Sequence, residues 1–448
     1  MVDRNIAVVG AGYVGLTTAA CLASLGHRIA CVDNDHDKLA ALRRGEVGIL
    51  EPGLSELVLE GILRRKLSFT DDLIEVSRHA DIVFLCLPTP TTSSGQADVS
   101  TLQHVTGQVR AHLRSGAVVV VKSTVPVGTG DDLVIRLRRS DVEVVSNPEF
   151  LREGHAVQDF LNPDRIVVGC QNPRTAELVV GLYRSPDVTT VTTDRRTAEM
   201  AKYASNCYLA VRLSYINSIA ALCESTGTDA LDVAHVMGLD PRIGPAHLRP
   251  GPGWGGSCLP KDSRALLATA KAADVDFDVL DAAVRFNAAH QDRMARRILA
   301  LLGDGPGRPR IGVLGLTFKA GTGDLRDSPA LAIARRLGEL GAEVTAFDPT
   351  VRGTPQAPLA VDDPYQAAKG AHALAVLTEW NEFQELDWHL IDQLMEGDLV
   401  VDTRNVLDPA QLGAAGLRLH AFGRRIGTER LEVKGAVDGI PVRHADDQ

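Results

Sequence analysis

A glycine-rich stretch with one cysteine is the part of the sequence best suited to chemistry. Gly251–Asp262 reads GPGWGGSCLPKD, so its backbone can pass close to a ligand with few side chains in the way. Lys261 would favour the thiolate, the reactive form of Cys258, and Asp262 could orient a water or a hydroxyl. Most isolated cysteines are instead buried small hydrophobes. The glycines and flanking charges favour an accessible, reactive Cys258 here.

Composition indicates a globular protein of two or three domains. The chain has 448 residues, which exceeds one ordinary domain, and 45% of them are hydrophobic, which is enough for real cores. Its net charge of −10 disfavours nonspecific binding to nucleic acid or to an anionic membrane. We therefore expect neither partner, and an anionic substrate would need a local basic pocket.

The cysteines and the N-terminal residues predict a cytoplasmic protein. The seven cysteines are scattered, without a Cys-x-x-Cys pair, and several lie in apolar runs such as 82–87. This pattern favours reduced thiols over a disulfide framework, and we expect no metal site because no histidine has ligand spacing to a cysteine. Residues 1–5 lead directly into a strand pattern, so we expect no leader peptide. No apolar run approaches the length of about 20 residues that a membrane span requires.

The first residues carry a complete dinucleotide fingerprint. A strand pattern at 5–10 leads into Gly10–Gly15 (GAGYVG), a helical pattern continues to Gly26, and a second apolar run ends at Asp33. The glycines permit a tight turn and allow a pyrophosphate to approach a helix N-terminus. Asp33 suits the ribose hydroxyls and would repel a 2′-phosphate. NAD, rather than NADP, is therefore the predicted cofactor.

Polar turns follow further predicted strands. The strand runs and their turns are 81–87 before Pro88–Pro90, 117–121 before Lys122–Gly128, and 142–145 before Ser146–Gly154. Ligands of doubly wound sheets bind at such carboxyl ends. The hydroxyl of Thr124 could reach a cofactor, cap a helix, or do both. The four-residue spacing of Glu149 and Glu153 predicts that both lie on one helix face.

The middle of the chain has helical periodicity. Residues 197–225, 229–237 and 262–290 carry apolar residues at helical spacing, without strand alternation. Lys202 and Asn206 are one turn apart in an otherwise apolar part of the first segment. Either they point into a polar pocket, or the lysine extends its ammonium to solvent.

A second nucleotide-binding pattern follows a Gly/Pro-rich linker at 303–309. Its predicted elements are a strand from 310, a helix at 330–341, a strand at 343–347 that ends in Asp348, further strands at 373–377 and 399–402, and a frayed end at 443–448. This order repeats that of residues 6–33, but the glycine triad is degraded. We therefore expect a second such fold that binds something other than a dinucleotide.

These motifs resemble the nucleotide-sugar 6-dehydrogenase family. The matching segments are Gly10–Gly15, Pro88–Pro90, Lys122–Pro126, Asn147–Gly154, Lys202 with Asn206, Gly251–Asp262, Phe318–Lys319, Asp324–Arg326 and Asp402–Asn405. The resemblance implies an α/β protein with an NAD-binding Rossmann domain at 1–195 and a central all-helical domain at 196–300. That central domain links the outer two and forms a homodimer. A C-terminal Rossmann-like domain at 301–448 binds the sugar nucleotide.

The resemblance also implies a reaction. The family oxidises a sugar C6 alcohol to a carboxylate in two hydride transfers to NAD. Cys258 adds to the intermediate aldehyde, and the resulting thiohemiacetal loses hydride to form a thioester, which water hydrolyses. Lys202 stabilises the alkoxide and the oxyanion, and Glu149 is the base for hydrolysis. The other residues implied at the reaction are Asp262 and Thr124, which position the hydroxyl or water, and Asn206, which holds the substrate.

Binding residues are implied in the same way. Those at the cofactor are Gly10, Gly12, Tyr13, Val14, Gly15, Asp33, Lys38, Thr89, Thr124, Glu153, Lys261 and Arg326. Those at the substrate are Glu149, Phe150, Leu151, Lys202, Asn206, Arg242, Gly255, Phe318, Lys319 and Arg404, with Arg242 reaching in from the neighbouring subunit. The basic residues among them would supply the positive charge that an anionic ligand requires.

Alternatives remain open for the substrate and the reaction. Asp240–Pro245 and Gly251–Gly255 are similar to the UDP-glucose branch of the family, which favours UDP-glucose. Cys258–Asp262 and Lys319–Thr322 also resemble GDP-mannose 6-dehydrogenases. A single-oxidation hydroxyacid or polyol dehydrogenase would share the Rossmann start, but it would need neither Cys258 nor a second nucleotide-like fold. A non-catalytic NAD-binding protein would not need the set of polar residues described above.

Overall fold

The computed structural model describes residues 3–425, except 186, 304–306, 352, 354–356 and 358. The predicted linker at 303–309 lies partly outside these residues, and the predicted frayed end at 443–448 lies wholly outside them. The chain divides into two compact units, residues 3–206 with 264–276 and residues 207–263 with those from 277 onward. Within the described residues, no helix combines the length and the apolar character needed to cross a membrane.

The first unit is built on an eight-stranded sheet. Its strands are Asn5–Val9 (β1), Arg28–Val32 (β2), Leu67–Thr70 (β3), Ile82–Leu85 (β4), Val118–Val121 (β5), Glu143–Ser146 (β6), Arg165–Gly169 (β7) and Thr189–Thr193 (β8). They lie in the order β3-β2-β1-β4-β5-β6-β7-β8, and neighbours are parallel except for β6 with β7. The first six strands therefore have the doubly wound Rossmann order.

Helices cover both faces of this sheet. They are Tyr13–Ser24 (α1), His36–Arg43 (α2), Leu54–Leu63 (α3), Leu73–His79 (α4), Ser100–Val109 (α5), Thr129–Leu137 (α6), Ala156–Leu161 (α7) and Pro173–Gly181 (α8). Because successive strand residues point to opposite faces, Ile6 and Val8 enter one apolar core, and Ala7 and Val9 enter the other. Burial on both faces explains why these strands are continuous apolar runs.

Four helices follow the first sheet in the sequence. They are Arg195–Thr226 (α9), Ala230–Gly238 (α10), Leu259–Ala272 (α11) and Asp278–Ala300 (α12). The first two confirm the predicted segments. The prediction of helix throughout 262–290 is wrong, because α11 ends at Ala272 and Asp274, two residues later, adopts a left-handed φ of 56°. There the Val275 N–H donates back to the Ala270 carbonyl, which closes the helix end.

The second unit contains a six-stranded parallel sheet. Its strands are Arg310–Leu314 (β9), Glu343–Phe347 (β10), Ala360–Val361 (β11), Ala373–Val376 (β12), Leu399–Asp402 (β13) and Arg418–Ala421 (β14), in the order β11-β10-β9-β12-β13-β14. The later helices are Pro329–Glu339 (α13), Pro364–Ala368 (α14), Trp388–Leu394 (α15) and Pro409–Ala414 (α16), with a 3-10 turn at Asn381–Gln384. This strand order repeats the Rossmann order, so the predicted α/β class with a second nucleotide-like fold is confirmed.

Candidate active site

The three fingerprint glycines have three different structural roles. Gly10 has a φ of 100°, and a Cβ there would lie 2.5 Å from the Cys86 carbonyl oxygen. A Cβ on Gly15 would lie 1.8 Å from the Gly10 carbonyl oxygen, so α1 can pack on the turn only with glycine here. Gly12, which precedes α1, has open space beside it and is exposed. The exposed N-terminal end of α1 therefore fits a pyrophosphate group.

Asp33 joins the end of β2 to the fingerprint turn. Its Oδ2 accepts a hydrogen bond from the Ala11 N–H at 2.7 Å and lies 3.2 Å from Lys38 Nζ, and its Oδ1 accepts from the Asp35 N–H at 3.0 Å. Burial by itself would raise the pKa of Asp33, but these N–H donors and Lys38 lower it below its ordinary value. The carboxylate is thus ionised and fits the ribose hydroxyls of a dinucleotide.

Two predicted cofactor residues meet at the ends of β4 and β5. The Thr89 hydroxyl donates a hydrogen bond to the Thr124 carbonyl oxygen at 2.9 Å. Thr89 is buried, and Thr124 is partly exposed. Because β4 and β5 pair in parallel, with Leu85 beside Val121, both threonines lie at the carboxyl edge of the sheet.

A buried ion pair lies beyond β6. Lys202 Nζ, on α9, is 2.9 Å from Glu149 Oε1, and the two side chains are only 4% and 6% exposed. The Leu151 N–H donates to the other carboxylate oxygen at 2.6 Å. Burial alone would raise the pKa of Glu149, but Lys202 and the Leu151 N–H lower it below its ordinary value. Of the two alternatives for Lys202, the solvent-extended lysine is therefore excluded.

The other predicted residues of this region surround that pair. The Phe150 ring centroid is 5.3 Å from Lys202 Nζ. Asn206 is buried one turn beyond Lys202 on α9. The predicted helix that would hold Glu149 and Glu153 on one face is wrong, because residues 147–155 form a loop and α7 begins only at Ala156. Pro148 disfavours the α conformation before it, and Gly154 adopts a φ of 83°.

In the second unit, the glycine-rich stretch packs directly on another backbone segment. A Cβ on Gly255 would lie 2.1 Å from the Asp327 carbonyl oxygen and 2.7 Å from Pro329 Cδ. Gly256, with a φ of 81°, donates its N–H to the Arg326 carbonyl at 3.0 Å and lies against the Phe318 ring. These two glycines therefore permit close packing of the two backbone segments.

Cys258 lies at the N-terminal end of α11. Its carbonyl oxygen accepts the first helical hydrogen bond from the Asp262 N–H at 2.9 Å, and the Ser257 hydroxyl is 3.5 Å from its sulfur. A helix N-terminus stabilises negative charge, which suits a thiolate nucleophile. All seven cysteines are among the described residues and none forms a disulfide, and six are buried while Cys258 is partly exposed. The predicted accessibility of Cys258 is confirmed.

Charged residues adjoin this cysteine in the sequence and in the structure. Lys261 Nζ is 2.5 Å from Asp262 Oδ1, and the Asp262 side chain is 1% exposed. Among the described residues, no group of three or more His, Cys, Asp or Glu side chains could hold a metal ion. The residues at this position supply a thiol, followed in the sequence by an ammonium and a carboxylate.

The predicted substrate residues of the second unit fall into a buried and an exposed set. Arg404 is buried, and its guanidinium donates to the Phe318 carbonyl at 3.0 Å and contacts Glu379 Oε2 at 3.0 Å. Lys319 Nζ is 6.0 Å from the Phe318 ring centroid. Arg242 is exposed and pairs with Asp240 at 2.6 Å. Arg326, which was predicted at the cofactor, is likewise exposed and pairs with Asp324 at 2.6 Å. Arg404 and Phe318 are thus brought together, whereas Arg242 lies on the surface.

In the second fold, the aspartate that follows the second strand forms hydrogen bonds inside the protein. Asp348 follows β10 as Asp33 follows β2, but it is fully buried. Its Oδ2 accepts from the Leu316 and Thr317 N–H groups at 2.8 and 3.0 Å. This carboxylate is committed to its own backbone, which supports the prediction that the second fold does not bind a dinucleotide.

Sequence reasoning missed one charged residue near the fingerprint. Glu51 is buried and accepts hydrogen bonds from the Tyr13 hydroxyl and, at 2.7 Å, from the Gly154 N–H. The Tyr13 side chain is therefore held inside the protein, although its backbone belongs to the exposed turn. The only local signal for Glu51 is its position before Pro52-Gly53 at the start of α3, and that signal predicts a helix start and not a buried carboxylate.

A Rossmann sheet with an intact fingerprint, four helices and a second Rossmann-like sheet define a dinucleotide-dependent oxidoreductase of several domains. Profiles of the NAD binding, central and UDP binding domains of one family match residues 4–187, 196–289 and 312–409. The chain belongs to the UDP-glucose/GDP-mannose dehydrogenase family. It is accordingly an NAD-dependent oxidoreductase, as the fingerprint and Asp33 predicted.

Individual relatives agree over almost the whole chain. A UDP-glucose 6-dehydrogenase of Rhizobium meliloti (strain 1021) is 43% identical over 439 residues, which cover 94% of this chain and 99% of the relative. The structure of a UDP-glucose dehydrogenase from Pyrobaculum islandicum is 34% identical with a TM-score of 0.84 and covers 92% of this chain and 96% of its own. A UDP-D-ManNAc dehydrogenase from Pyrococcus horikoshii is 29% identical, also with a TM-score of 0.84, and covers 94% of this chain and 99% of its own.

Proposed function

We propose that this protein catalyses the NAD-dependent, four-electron oxidation of UDP-glucose at C6 to UDP-glucuronate. The observation that carries the proposal is the accessible Cys258 at the N-terminal end of α11. A single oxidation to an aldehyde needs no nucleophile, whereas a second oxidation to the carboxylate level does. The name of the Rhizobium meliloti relative supports UDP-glucose, because that relative is 43% identical over nearly the full chain.

The proposed chemistry at Cys258 balances two oxidations and one hydrolysis. Hydride leaves C6 of the alcohol and a proton leaves its oxygen, which gives the aldehyde. The sulfur of Cys258 then bonds to C6, and the aldehyde oxygen takes up a proton to give the thiohemiacetal. A second hydride leaves C6 and the hydroxyl proton leaves the oxygen, which gives a thioester. Water attacks that carbonyl, the carbon–sulfur bond breaks, and the products are the carboxylate and the regenerated thiol. NAD, when bound, accepts one hydride in each oxidation.

The buried ion pair supplies the two other proposed roles. Lys202 provides a fixed ammonium that would stabilise the alkoxide and the oxyanion. Glu149 would act as the base for hydrolysis, and its lowered pKa keeps it in the carboxylate form that a base requires. Asp262 and Thr124 would position the hydroxyl or water, and Asn206 would hold the substrate. The remaining cofactor and substrate residues predicted from the sequence are proposed with them.

We also make proposals on the cellular context and on the domain limits. We infer a cytoplasmic protein because none of the seven cysteines forms a disulfide and six of them are buried. We also infer a functional division into residues 1–195, 196–300 and 301–448, which the separate domain profiles support. Expression of residues 1–195 alone, with measurement of NAD binding, tests the first of these limits.

Counting NADH at completion tests the function. With limiting UDP-glucose and excess NAD, we expect two NADH per sugar, and little from GDP-mannose or UDP-N-acetylmannosamine. Cys258→Ser should lose complete turnover. Cys170→Ser is the matched control, because Cys170 is a buried core residue whose thiol donates to the Asn172 carbonyl at 3.3 Å, a bond that a hydroxyl can also make. One NADH per sugar would exclude the thioester route. Two NADH per GDP-mannose, with none from UDP-glucose, would show that GDP-mannose and not UDP-glucose is the substrate.

We further propose a homodimer formed through the helical segment. Tyr208, Tyr215 and Leu222 are spaced seven residues apart on α9 and are 61%, 53% and 58% exposed. Large apolar side chains repeated along one side of a long helix favour a partner of the same kind. Tyr215→Glu should yield monomers in sedimentation analysis, whereas Leu63→Glu, at an exposed leucine on α3, should not. An unchanged dimer in Tyr215→Glu would exclude this surface as the interface.

A further inference from the structure

One buried carboxylate connects three separate segments of the first unit. Glu51 Oε2 accepts hydrogen bonds from the Tyr13 hydroxyl and from the Gly154 N–H, the latter at 2.7 Å. Glu51 Oε1 accepts from the Val157 N–H at 3.3 Å. The Glu51 side chain thereby contacts the first turn of α1, the loop at 147–155 and the first turn of α7.

The Tyr13 hydroxyl completes this arrangement. The Gly154 N–H lies 2.9 Å from the Tyr13 oxygen as well as close to Glu51. Burial raises the pKa of Tyr13, and the Glu51 carboxylate raises it further, so the phenol stays neutral and keeps the proton that it donates. A buried carboxylate is costly unless donors satisfy it, and here each oxygen has at least one.

The loop that Glu51 holds is the one that carries Glu149. Gly154 is three residues beyond Leu151, whose N–H donates to Glu149 Oε2 at 2.6 Å. The backbone at 147–155 has no regular hydrogen bonding of a helix or strand, so its conformation depends on individual contacts. Within the loop, Arg152 donates its backbone N–H and its guanidinium to the Asp159 carboxylate, each at 2.8 Å. At one end Asn147 donates its N–H to Val121 on β5 at 2.9 Å, and at the other Gly154 donates to Glu51.

We propose that Glu51 is a positioning residue that holds the loop at 147–155, and with it Glu149, against the cofactor-binding turn. Glu51 acts through Gly154 and does not touch the reacting atoms. The proposal rests on the proposed function, in which Glu149 is the base for thioester hydrolysis. Loss of the Glu51 contacts should therefore slow hydrolysis more than the preceding hydride transfers.

The test compares Glu51→Gln with a matched control. Glutamine keeps the volume, but its NH₂ group cannot accept the hydrogen bonds that one carboxylate oxygen now receives. Glu46→Gln is the control, because Glu46 is 61% exposed and pairs with Arg44 on the surface. With UDP-glucose and NAD, Glu51→Gln should lose roughly ten- to a hundredfold in turnover, the range expected from losing hydrogen bonds to a charged group. The Michaelis constant for UDP-glucose should fall together with turnover, because the thioester accumulates when its hydrolysis limits the rate.

Intact-protein mass spectrometry measures the amount of thioester on Cys258. A merely structural role of Glu51 would leave that amount unchanged. Glu51→Gln should accumulate the thioester on Cys258, as Glu149→Gln should under the proposed function, whereas the wild type and Glu46→Gln should not. Tyr13→Phe, which removes one donor but leaves both backbone contacts, should show the same accumulation to a smaller extent. This variant also keeps the test valid if Glu51→Gln does not fold. A slow Glu51→Gln enzyme without accumulated thioester would overturn the positioning role.

Hydrogen exchange separates this proposal from the proposed function. Amides at 147–157 should exchange faster in Glu51→Gln than in Glu46→Gln, with no substrate present. Unchanged exchange would show that Glu51 does not hold the loop at 147–155 in place. A different result would be faster exchange in Glu51→Gln but no thioester in any variant, including Glu149→Gln. That result would contradict the thioester route in the proposed function. Glu51 would then hold the loop without a role in hydrolysis.

Discussion

Lys202 Nζ is 2.9 Å from Glu149 Oε1 in an almost fully buried ion pair. The two residues are 53 positions apart and lie on different kinds of structure, a long helix and an irregular loop. Such a pair stabilises a protein only weakly relative to apolar residues, but removal of one partner leaves an unpaired buried charge. The small gain in stability therefore does not explain why two charges are buried here, and the pair indicates that charge is needed at this position for function.

The first prediction concerns this pair. Lys202→Met should destabilise the protein by about 3–5 kcal/mol, because it leaves the Glu149 carboxylate buried without its ammonium. Glu149→Gln in the same background should recover part of that loss, because no charge then remains unpaired. Urea unfolding of the two single variants and the double variant measures the coupling. Additive losses would show that the two side chains do not interact in solution.

Acid sensitivity is the second prediction. Burial raises the pKa of Glu149, but Lys202 and the Leu151 N–H outweigh burial, so the pKa is lower in the folded than in the unfolded protein. The stability that Glu149 contributes is therefore fully present above its unfolded pKa of about 4.3 and is lost as the pH falls through the folded pKa. Unfolding free energies measured between pH 3 and 7 should fall more steeply for the wild type than for Glu149→Gln. Parallel curves would contradict the lowered pKa.

Local patterns predicted the elements whose determinants are local. The fingerprint, Asp33, α9 and several strands of both Rossmann-like sheets follow from short apolar runs and glycine positions. The spacing of Glu149 and Glu153 gave a wrong helix, because Pro148 and Gly154 override a four-residue repeat of charge. Strand β8 reads Thr-Thr-Val-Thr-Thr and is largely exposed at the sheet edge, so it has no apolar run to indicate it.

The contacts of Glu51 could not be predicted for a different reason. Tyr13 and Gly154 are 38 and 103 residues away from it, and only the folded chain brings them together. The spacing of residues within a short segment cannot predict a hydrogen bond between residues so far apart in the sequence. The identity of Cys258 as an accessible thiol was predictable, because its flanking glycines and charges are next to it in the sequence.

Selective alkylation is the third prediction. Iodoacetamide should modify Cys258 well before the other six cysteines, because Cys258 alone is partly exposed. Burial also raises the pKa of Cys21, Cys86 and Cys207 to about 12, which suppresses their thiolate forms. Peptide mapping after brief treatment checks this, with Cys258→Ser as the control that should take up almost no label. Early label on any of the buried cysteines would contradict the burial.

The fourth prediction tests the packing of the glycine-rich stretch. Gly255→Ala would place a Cβ 2.1 Å from the Asp327 carbonyl oxygen, so the backbone must move. We expect a destabilisation of about 1–3 kcal/mol, as for other overpacked sites, and a large loss of turnover because Cys258 follows three residues later. Gly413→Ala, in α16 with nothing near its Cβ, is the matched control and should be neutral or slightly stabilising. Equal stability and turnover of the two variants would show that the glycine-rich stretch accommodates the added methyl group.

The last prediction concerns the choice of cofactor. Asp33→Ala removes a carboxylate that the Ala11 and Asp35 N–H groups and Lys38 hold at the end of β2. The Michaelis constant for NAD should rise roughly ten- to a hundredfold, the value of hydrogen bonds to a charged group. NADP should become a better substrate relative to NAD, because the repulsion of its 2′-phosphate disappears while Lys38 remains. Glu46→Gln, at an exposed carboxylate beyond α2, should leave both constants unchanged. If NAD and NADP were affected equally, Asp33 would support only the turn and would not select the cofactor.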